Sequence, residues 1–130
     1  MKTINAQDLS TYQWSNRLLL IFTPNPENSV FKEQIQELQK NEEGLQERKL
    51  IIFKISPEAY KNGLKDDEEW KNSSKLYQEL KRTNANFEVQ LIGLDGGTKL
   101  TKTDLLSIEQ LFSTIDVMPM RQAEMRKNRK

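Results

Sequence analysis

Arginine and aspartate are the side chains in this sequence best suited to holding a ligand. A guanidinium group offers a planar fork of N–H donors that matches a carboxylate or a phosphate. If folding brings such residues together, they form either a structural cluster of ion pairs or a binding site for an anion. The candidates are Arg17, Arg48, Asp95, Asp116 and Arg121.

Thiol and histidine chemistry is missing from the chain, because its 130 residues include no cysteine and no histidine. Thiol reactions need a thiolate, and the common serine and cysteine nucleophiles are activated by a histidine base. We therefore predict that the protein neither reduces disulfides nor consumes peroxide through a thiol cycle. No motif singles out a catalytic serine, lysine or tyrosine, and none indicates a bound cofactor.

Three short motifs resemble ligand sites but are better explained by ordinary structure. The four consecutive carboxylates at 66–69 lack the alternate spacing that hard cations need, so we predict a solvated acidic loop and no metal site. The sequence Asp95-Gly96-Gly97 stands between two predicted strands, whereas a phosphate loop precedes a helix, so we predict a turn. The basic segment 121–130 has no interleaved aromatic residues, and we expect no nucleic-acid partner.

Composition predicts a single soluble globular domain, with a core over about 14–118 and a basic tail over about 121–130. Twenty basic and nineteen acidic residues give a net charge of +1, which favours no class of charged partner. No apolar run reaches the roughly 18 residues of a membrane span. The first 16 residues lack the apolar stretch of a secretory signal, so we expect a cytoplasmic protein, or an exported or periplasmic one if a leader was removed.

The first half of the chain predicts a strand, a helix and a second strand. The apolar runs at 18–22 and 50–55 are typical of short strands buried on both faces. Asn25 is a favourable N-cap followed by proline, so a helix is expected to begin there and to end at Gly44. Two strands joined by one helix must be parallel.

A long polar stretch follows the second strand. Residues 57–72 are interpreted as an irregular loop anchored by one aromatic residue, Trp70. Ser73 or Ser74 then caps a short helix that ends near residues 83–84.

The remaining residues predict a hairpin and a third helix. Apolar and polar residues alternate at 87–92, and a strand at 98–101 follows two glycines, which is typical of an antiparallel hairpin. Ser107 and Gln110 form a capping box for the helix, which Pro119 interrupts. The predicted order is therefore β-α-β-α-β-β-α, an α/β domain with a four-stranded mixed sheet flanked by helices.

Several motifs along the chain together resemble one family, the thioredoxin- or peroxiredoxin-like domain of unknown function. It occurs alone in bacteria and at the C-terminus of some vertebrate secreted sushi-repeat proteins. The resemblance implies a thioredoxin-like fold, although the family commonly has lysine where this chain has Leu94. The motifs are Trp14 and Arg17 before a Leu-Leu-Ile-Phe strand, Arg48 before the second strand, Leu91-Ile92-Gly93-Leu94-Asp95-Gly96-Gly97, and Ile115-Asp116-Val117-Met118-Pro119-Met120-Arg121.

The resemblance also indicates where a redox site would lie. In thioredoxin-like enzymes the reactive thiols stand between the first strand and the first helix, and the corresponding residues 23–29 of this chain contain no sulfur. The free N–H groups at the start of that helix can still bind an anion or a peptide. The candidate residues in this degenerate redox loop are Asn25, Glu27, Asn28 and Ser29.

Strand directions predict where the charged candidates meet. We call the sheet end at residues 23–29 the redox pole and the opposite end the arginine pole. The first two strands begin at the arginine pole, the hairpin turns there, and the third helix runs back toward it. The five charged candidates and Trp14 are therefore expected to cluster at the arginine pole, with Arg17 or Arg121 paired to Asp95 or Asp116.

Three classes of function follow from these features. The leading hypothesis is a redox-inactive thioredoxin-like module that binds a protein or a small ligand. The alternatives are an enzyme that acts through carboxylates, lysine or a metal, with Glu27 or Asp95 as the candidate group, and a structural or assembly domain. The partner and the oligomeric state stay open at this stage.

Overall fold

One mixed sheet of six strands forms the centre of the molecule, in the order β4-β3-β2-β1-β5-β6. The structure is a computed structural model that describes residues 6–64, 70–72 and 75–128. β1 pairs parallel with β2, while β5 pairs antiparallel with β1. The strands are β1 (Arg17–Phe22), β2 (Leu50–Ile55), β3 (Ala59–Asn62), β4 (Lys71–Asn72), β5 (Glu88–Ile92) and β6 (Thr98–Lys102).

The predicted α/β class and element order are confirmed, but the sheet has six strands and not four. The two additional strands, β3 and β4, lie in the stretch 57–72 that was interpreted as an irregular loop. β3 pairs antiparallel with β2, and Tyr60 is buried against the sheet. The polar residues of this stretch favoured a loop, and Lys61 in particular is a residue type that usually faces solvent. In the structure Lys61 is buried.

In the described part of the chain, five α-helices and an N-terminal 3-10 helix over Ala6–Tyr12 surround the sheet. The first helix begins later than predicted, because Asn28 rather than Asn25 caps it, and it ends before Gly44, which lies inside the next helix. The predicted N-caps Ser73 and Ser74 lie outside the described residues. The helices are α1 (Ser29–Gln39), α2 (Glu42–Glu47), α3 (Leu76–Leu80), α4 (Ile108–Asp116) and α5 (Pro119–Asn128).

The two faces of the sheet bury separate apolar clusters, where the sequence had suggested one core. Alternate residues of β1 point to opposite faces, so Leu19 and Ile21 join α1, α2 and α4, while Leu20 and Phe22 join the 3-10 helix and α3. Gln34 ties the first cluster together, since its side-chain amide exchanges two hydrogen bonds with the backbone of Leu106. No helix among the described residues is long and apolar enough to cross a membrane.

The C-terminal segment forms a helix that packs on the domain. Pro119 ends α4 and starts α5, as expected for a residue that lacks an N–H but is favoured in the first turn of a helix. Arg121 is 2% exposed, so α5 is held against the arginine pole by a buried cation.

Candidate functional site

The arginine pole contains a network of ion pairs centred on Asp116. Arg48 donates two hydrogen bonds to this carboxylate, from Nε to Oδ1 at 2.9 Å and from Nη2 to Oδ2 at 2.8 Å. Arg121 donates from Nε to the same Oδ1 at 3.1 Å. The Arg48 guanidinium also stacks 3.7 Å from the centre of the Phe112 ring. Asp116 thus joins α4 and α5 to Arg48, which caps the C-terminus of α2.

Two glutamates complete this arginine network. Arg121 Nη2 donates to Glu47 at 2.8 Å, and Arg121 Nη1 donates to Glu124 at 3.4 Å. Arg17 Nη1 donates to Glu124 at 3.2 Å and to the carbonyl oxygen of Arg48 at 2.9 Å. The network therefore balances three guanidinium groups with three carboxylates. Sequence reasoning missed both glutamates, because neither lies in a motif that distinguishes it from surrounding surface residues.

The pKa values in the network follow from these contacts. Burial alone raises the pKa of Asp116, but the hydrogen bonds from Arg48 and Arg121 outweigh it, and the pKa falls below its ordinary value. Burial alone lowers the pKa of Arg121, and its bonds to Asp116 and Glu124 reverse that effect, so the pKa rises. Each group is held in its charged form by its neighbours, as in a structural ion pair.

Arg17 is the one incompletely matched member of the network. Its side chain is 1% exposed, and its Nε and Nη2 atoms have no hydrogen-bond partner among the described residues. None of the three cavities described below is lined by Arg17. The two unmatched donor atoms are therefore buried and border none of these cavities.

Asp95 and Trp14 lie at the same pole beside the β5–β6 hairpin. Asp95 pairs with Lys99 at 2.9 Å and accepts the backbone N–H of Gly97, as in an ordinary turn. The backbone N–H of Trp14 donates to the carbonyl oxygen of Leu94. The structure thus brings Arg17, Arg48, Asp116 and Arg121 into one network, and it gives the Asp95 side chain other partners.

The degenerate redox loop satisfies its own backbone with side chains. Asn28 Oδ1 accepts the N–H groups of Val30 and Phe31 at 3.0 and 3.2 Å, and Asn25 Oδ1 accepts the N–H of Glu27 at 2.9 Å. The Glu27 carboxylate pairs with Lys32 at 2.8 Å. The start of α1 therefore offers a ligand fewer free N–H groups than the sequence suggested.

A cavity of about 420 Å³ opens next to this loop, between one face of α1 and strands β2 and β3. Two neighbouring lysines form its polar wall, since Lys54 on β2 is the register partner of Lys61 on β3. They are 3% and 5% exposed, respectively. We call this the lysine cavity; its lining residues are Pro26, Glu27, Phe31, Lys32, Ile35, Gln36, Gln39, Lys54, Lys61 and Trp70.

Lys61 distinguishes this cavity from two others of similar volume. Among the described residues its amino group has no hydrogen bond or ion pair, although the side chain is almost fully buried. In the cavity beneath the 3-10 helix, Lys81 is satisfied by the carbonyl oxygen of Thr83 and by Glu88. The described residues that line the cavity beside α2 include no cationic side chain. Sequence reasoning passed over Lys54, although a lysine between Phe53 and Ile55 in an apolar strand was a signal of a buried charge.

Glu88, a fully buried carboxylate at the start of β5, has a structural role. It accepts the backbone N–H groups of Arg82 and Thr83 at 2.9 and 2.8 Å, and the Thr83 hydroxyl at 2.6 Å. Burial raises the pKa of Glu88, but these hydrogen bonds prevail and lower it. Within the described part of the chain, no group of three acidic side chains has the geometry to hold a metal ion.

Comparisons with known proteins place this geometry in a fold family. The chain is similar in structure to the reduced 2-Cys peroxiredoxin of Plasmodium vivax, with a TM-score of 0.65 and 15% identity over 88% of this chain and 84% of that one. It is also similar to the mitochondrial 2-Cys peroxiredoxin of Plasmodium falciparum, with a TM-score of 0.59 and 13% identity over 94% and 84% of the two chains. At this identity the likeness shows the fold, which is thioredoxin-like.

No curated protein matches the chain in sequence. Residues 8–124 match the family described as domain of unknown function DUF4174. This match confirms the resemblance drawn from the motifs at both ends of the chain, and the protein therefore belongs to the DUF4174 family.

Proposed function

We propose that this protein is a redox-inactive thioredoxin-like binding module, whose ligand or partner segment occupies the lysine cavity. The observation that supports this function is the cavity's position beside residues 23–29, where thioredoxin-like enzymes hold their thiols, in a chain without cysteine. Its volume of about 420 Å³ is in the range of small-molecule sites. Binding at this place needs no thiol.

The arginine pole is less suited to the same role. Its guanidinium forks are directed at carboxylates of the protein itself, and the side chains of Arg17 and Arg121 are only 1% and 3% exposed. An incoming anion would have to displace Asp116 or Glu124 from short hydrogen bonds. We therefore assign the arginine network to fold stability, where it attaches α5 to the domain.

A fragment screen on isotope-labelled protein tests this function by NMR. Fragments that bind are expected to shift the amide resonances of α1, β2 and β3. The blocking variant is Gln36→Trp, which places a large ring at the cavity wall, and its control is Gln46→Trp, which changes another exposed glutamine on a helix. The first is expected to weaken binding more than about tenfold and the second to leave it unchanged.

Two results would contradict the proposal. In the first, neutral, cationic and anionic fragments all fail to shift the cavity resonances of the folded protein. In the second, fragments bind only at the arginine pole and are lost in Arg48→Ala, which would identify the arginine network as the site.

A further inference from the structure

We infer that the lysine cavity selects a small anion joined to a flat apolar group, such as an aryl phosphate or an aryl carboxylate. This inference rests on the proposed function and names the class of its ligand. Lys54 and Lys61 supply the positive charge, and Trp70 and Phe31 supply an apolar wall. A rim that carries both a positive and a negative side chain limits the size of the ligand.

The charge of the cavity wall indicates an anion. Register partners on adjacent antiparallel strands stand about 5 Å apart, so Lys54 and Lys61 present two amino groups to the same space. Like charges in directly opposed positions destabilise a sheet, and a cation that reaches into a narrow cavity without a counterion adds to this cost. A bound phosphate or carboxylate removes this cost for Lys61, which has no partner among the described residues.

The apolar wall indicates what the anion is attached to. The rings of Trp70 and Phe31 lie with centroids 6.5 Å apart and a 45° angle between their planes. Both rings pack on the apolar cluster that includes Ile35, so they are held in place from behind. A flat ligand gains contact with both rings while its charged end reaches the lysines.

The rim of the cavity limits larger anions. Glu27 and Lys32 pair there at 2.8 Å, with side chains 76% and 54% exposed, so the opening has no net charge. Gln39 is fixed by a hydrogen bond of 2.8 Å from its Nε2 to the carbonyl oxygen of Leu64. A long polyanion such as a nucleic acid would meet the Glu27 carboxylate, whereas a small anion passes it.

Tryptophan fluorescence gives a direct test with phenyl phosphate as the probe. The chain has two tryptophans, and Trp14 is 62% exposed, so Trp14→Phe leaves Trp70 as the single reporter at the cavity. Phenyl phosphate is expected to change the Trp70 emission in a saturable manner. Inorganic phosphate lacks the ring and benzyl alcohol lacks the charge, so each is expected to bind at least about tenfold more weakly. Benzoate, tested in parallel, distinguishes a carboxylate site from a phosphate site.

A matched pair of variants separates the buried lysine from the rim. Lys61→Met keeps an unbranched apolar side chain that is one atom shorter and removes the charge, and it is expected to reduce phenyl phosphate affinity at least about tenfold. Lys32→Met removes one positive charge from the exposed rim, and less than about a threefold loss is expected there.

Stability is the second measurement on Lys61→Met. If Lys61 is kept for packing, its replacement lowers the melting temperature, whereas removal of an amino group that has no partner is expected to leave the melting temperature unchanged or raise it. The inference is overturned if phenyl phosphate does not bind the folded parent protein, or if Lys61→Met binds it as tightly as the parent. Neutral fragments that shift the cavity resonances in either case would leave the proposed function standing and reject only the ligand class.

Discussion

The arginine network and the lysine cavity both contain cationic side chains with little exposure, but they differ in whether the chain supplies a counterion for the positive charge. In the network, Arg48 and Arg121 each contact the Asp116 carboxylate at about 3 Å, and Glu47 and Glu124 match the remaining donors. In the cavity, Lys61 is 5% exposed and has no counterion among the described residues. Charge that is matched within the chain supports the fold, whereas an unmatched charge that lines a cavity, as Lys61 does and the unmatched donors of Arg17 do not, is the better candidate for a ligand site.

The same contrast separates the two ends of the parallel strands. Both poles have residues that a sequence motif singles out, yet the more distinctive motif belongs to the arginine pole, where the guanidinium groups pair with carboxylates of the chain itself. The redox pole contains no cysteine and has a concave surface. A strong sequence signature therefore identified the family but did not indicate where the chain has this cavity.

The largest expected effect on stability comes from removing Arg121, which contacts three carboxylates of the arginine network. Arg121→Ala deletes the partner of Asp116, Glu47 and Glu124 at once, and we expect the free energy of unfolding to fall by about 2 to 4 kcal/mol. Urea unfolding followed by circular dichroism measures this change. Arg126→Ala, on an exposed position of the same helix, is the control and should cost under about 0.5 kcal/mol.

The contrast between the arginine network and the lysine cavity is wrong if Arg121→Ala keeps the stability of the parent protein but no longer binds a ligand. That result would transfer the binding role to the arginine pole. The phenyl phosphate affinity of Arg121→Ala is therefore measured in parallel, and it should equal that of the parent protein.

An intermediate effect is expected from the pH dependence of stability. The pKa of Asp116 is lower in the folded protein than in the unfolded chain, so its contribution is complete above the unfolded pKa of about 3.9 and is lost as the pH falls through the lower folded value. Asp116→Asn should cost about 1 to 2 kcal/mol at pH 7. Below pH 4 its deficit should shrink, because the parent protein is losing the same contribution.

Urea midpoints of the parent and Asp116→Asn between pH 7 and pH 2.5 test this difference. Glu88 also has a lowered pKa, and it destabilises both proteins alike in acid, so the deficit rather than the absolute stability is the quantity to compare. A deficit that stays constant across this range would show that Asp116 does not act through its charge.

The smallest effect on stability is expected for a substitution of Asp95, which tests whether this residue lies outside the arginine network. Asp95→Asn removes an exposed ion pair with Lys99 but keeps an oxygen that can accept the Gly97 N–H, so no measurable change in melting temperature is expected. A loss comparable to that of Asp116→Asn would place Asp95 in the network, as the sequence had suggested.

Much of the fold was predictable because its signals are local. The apolar run of β1, the capping of α4 by Ser107, and the turn at two glycines before β6 depend on neighbouring residues, and the structure contains all three. The strand β3 escaped prediction because its stability comes from pairing with β2, and Tyr60 and Lys61 read as polar loop residues without that partner. Sequence reasoning missed the lysine cavity for the same reason, because part of its wall also depends on the pairing of β2 with β3.

The sequence by itself determined which chemistry is impossible and to which family the chain belongs. A chain without cysteine forms no thiolate in any conformation, and the match over residues 8–124 is a property of residue order. Only the tertiary structure decided which charges meet. Asp116 joins Arg48 across 68 positions, while Lys54 and Lys61 become neighbours through strand register and line one cavity with α1 and Trp70. The energy of a charge depends on burial and on its nearest partner, and both are set by contacts between residues distant in sequence.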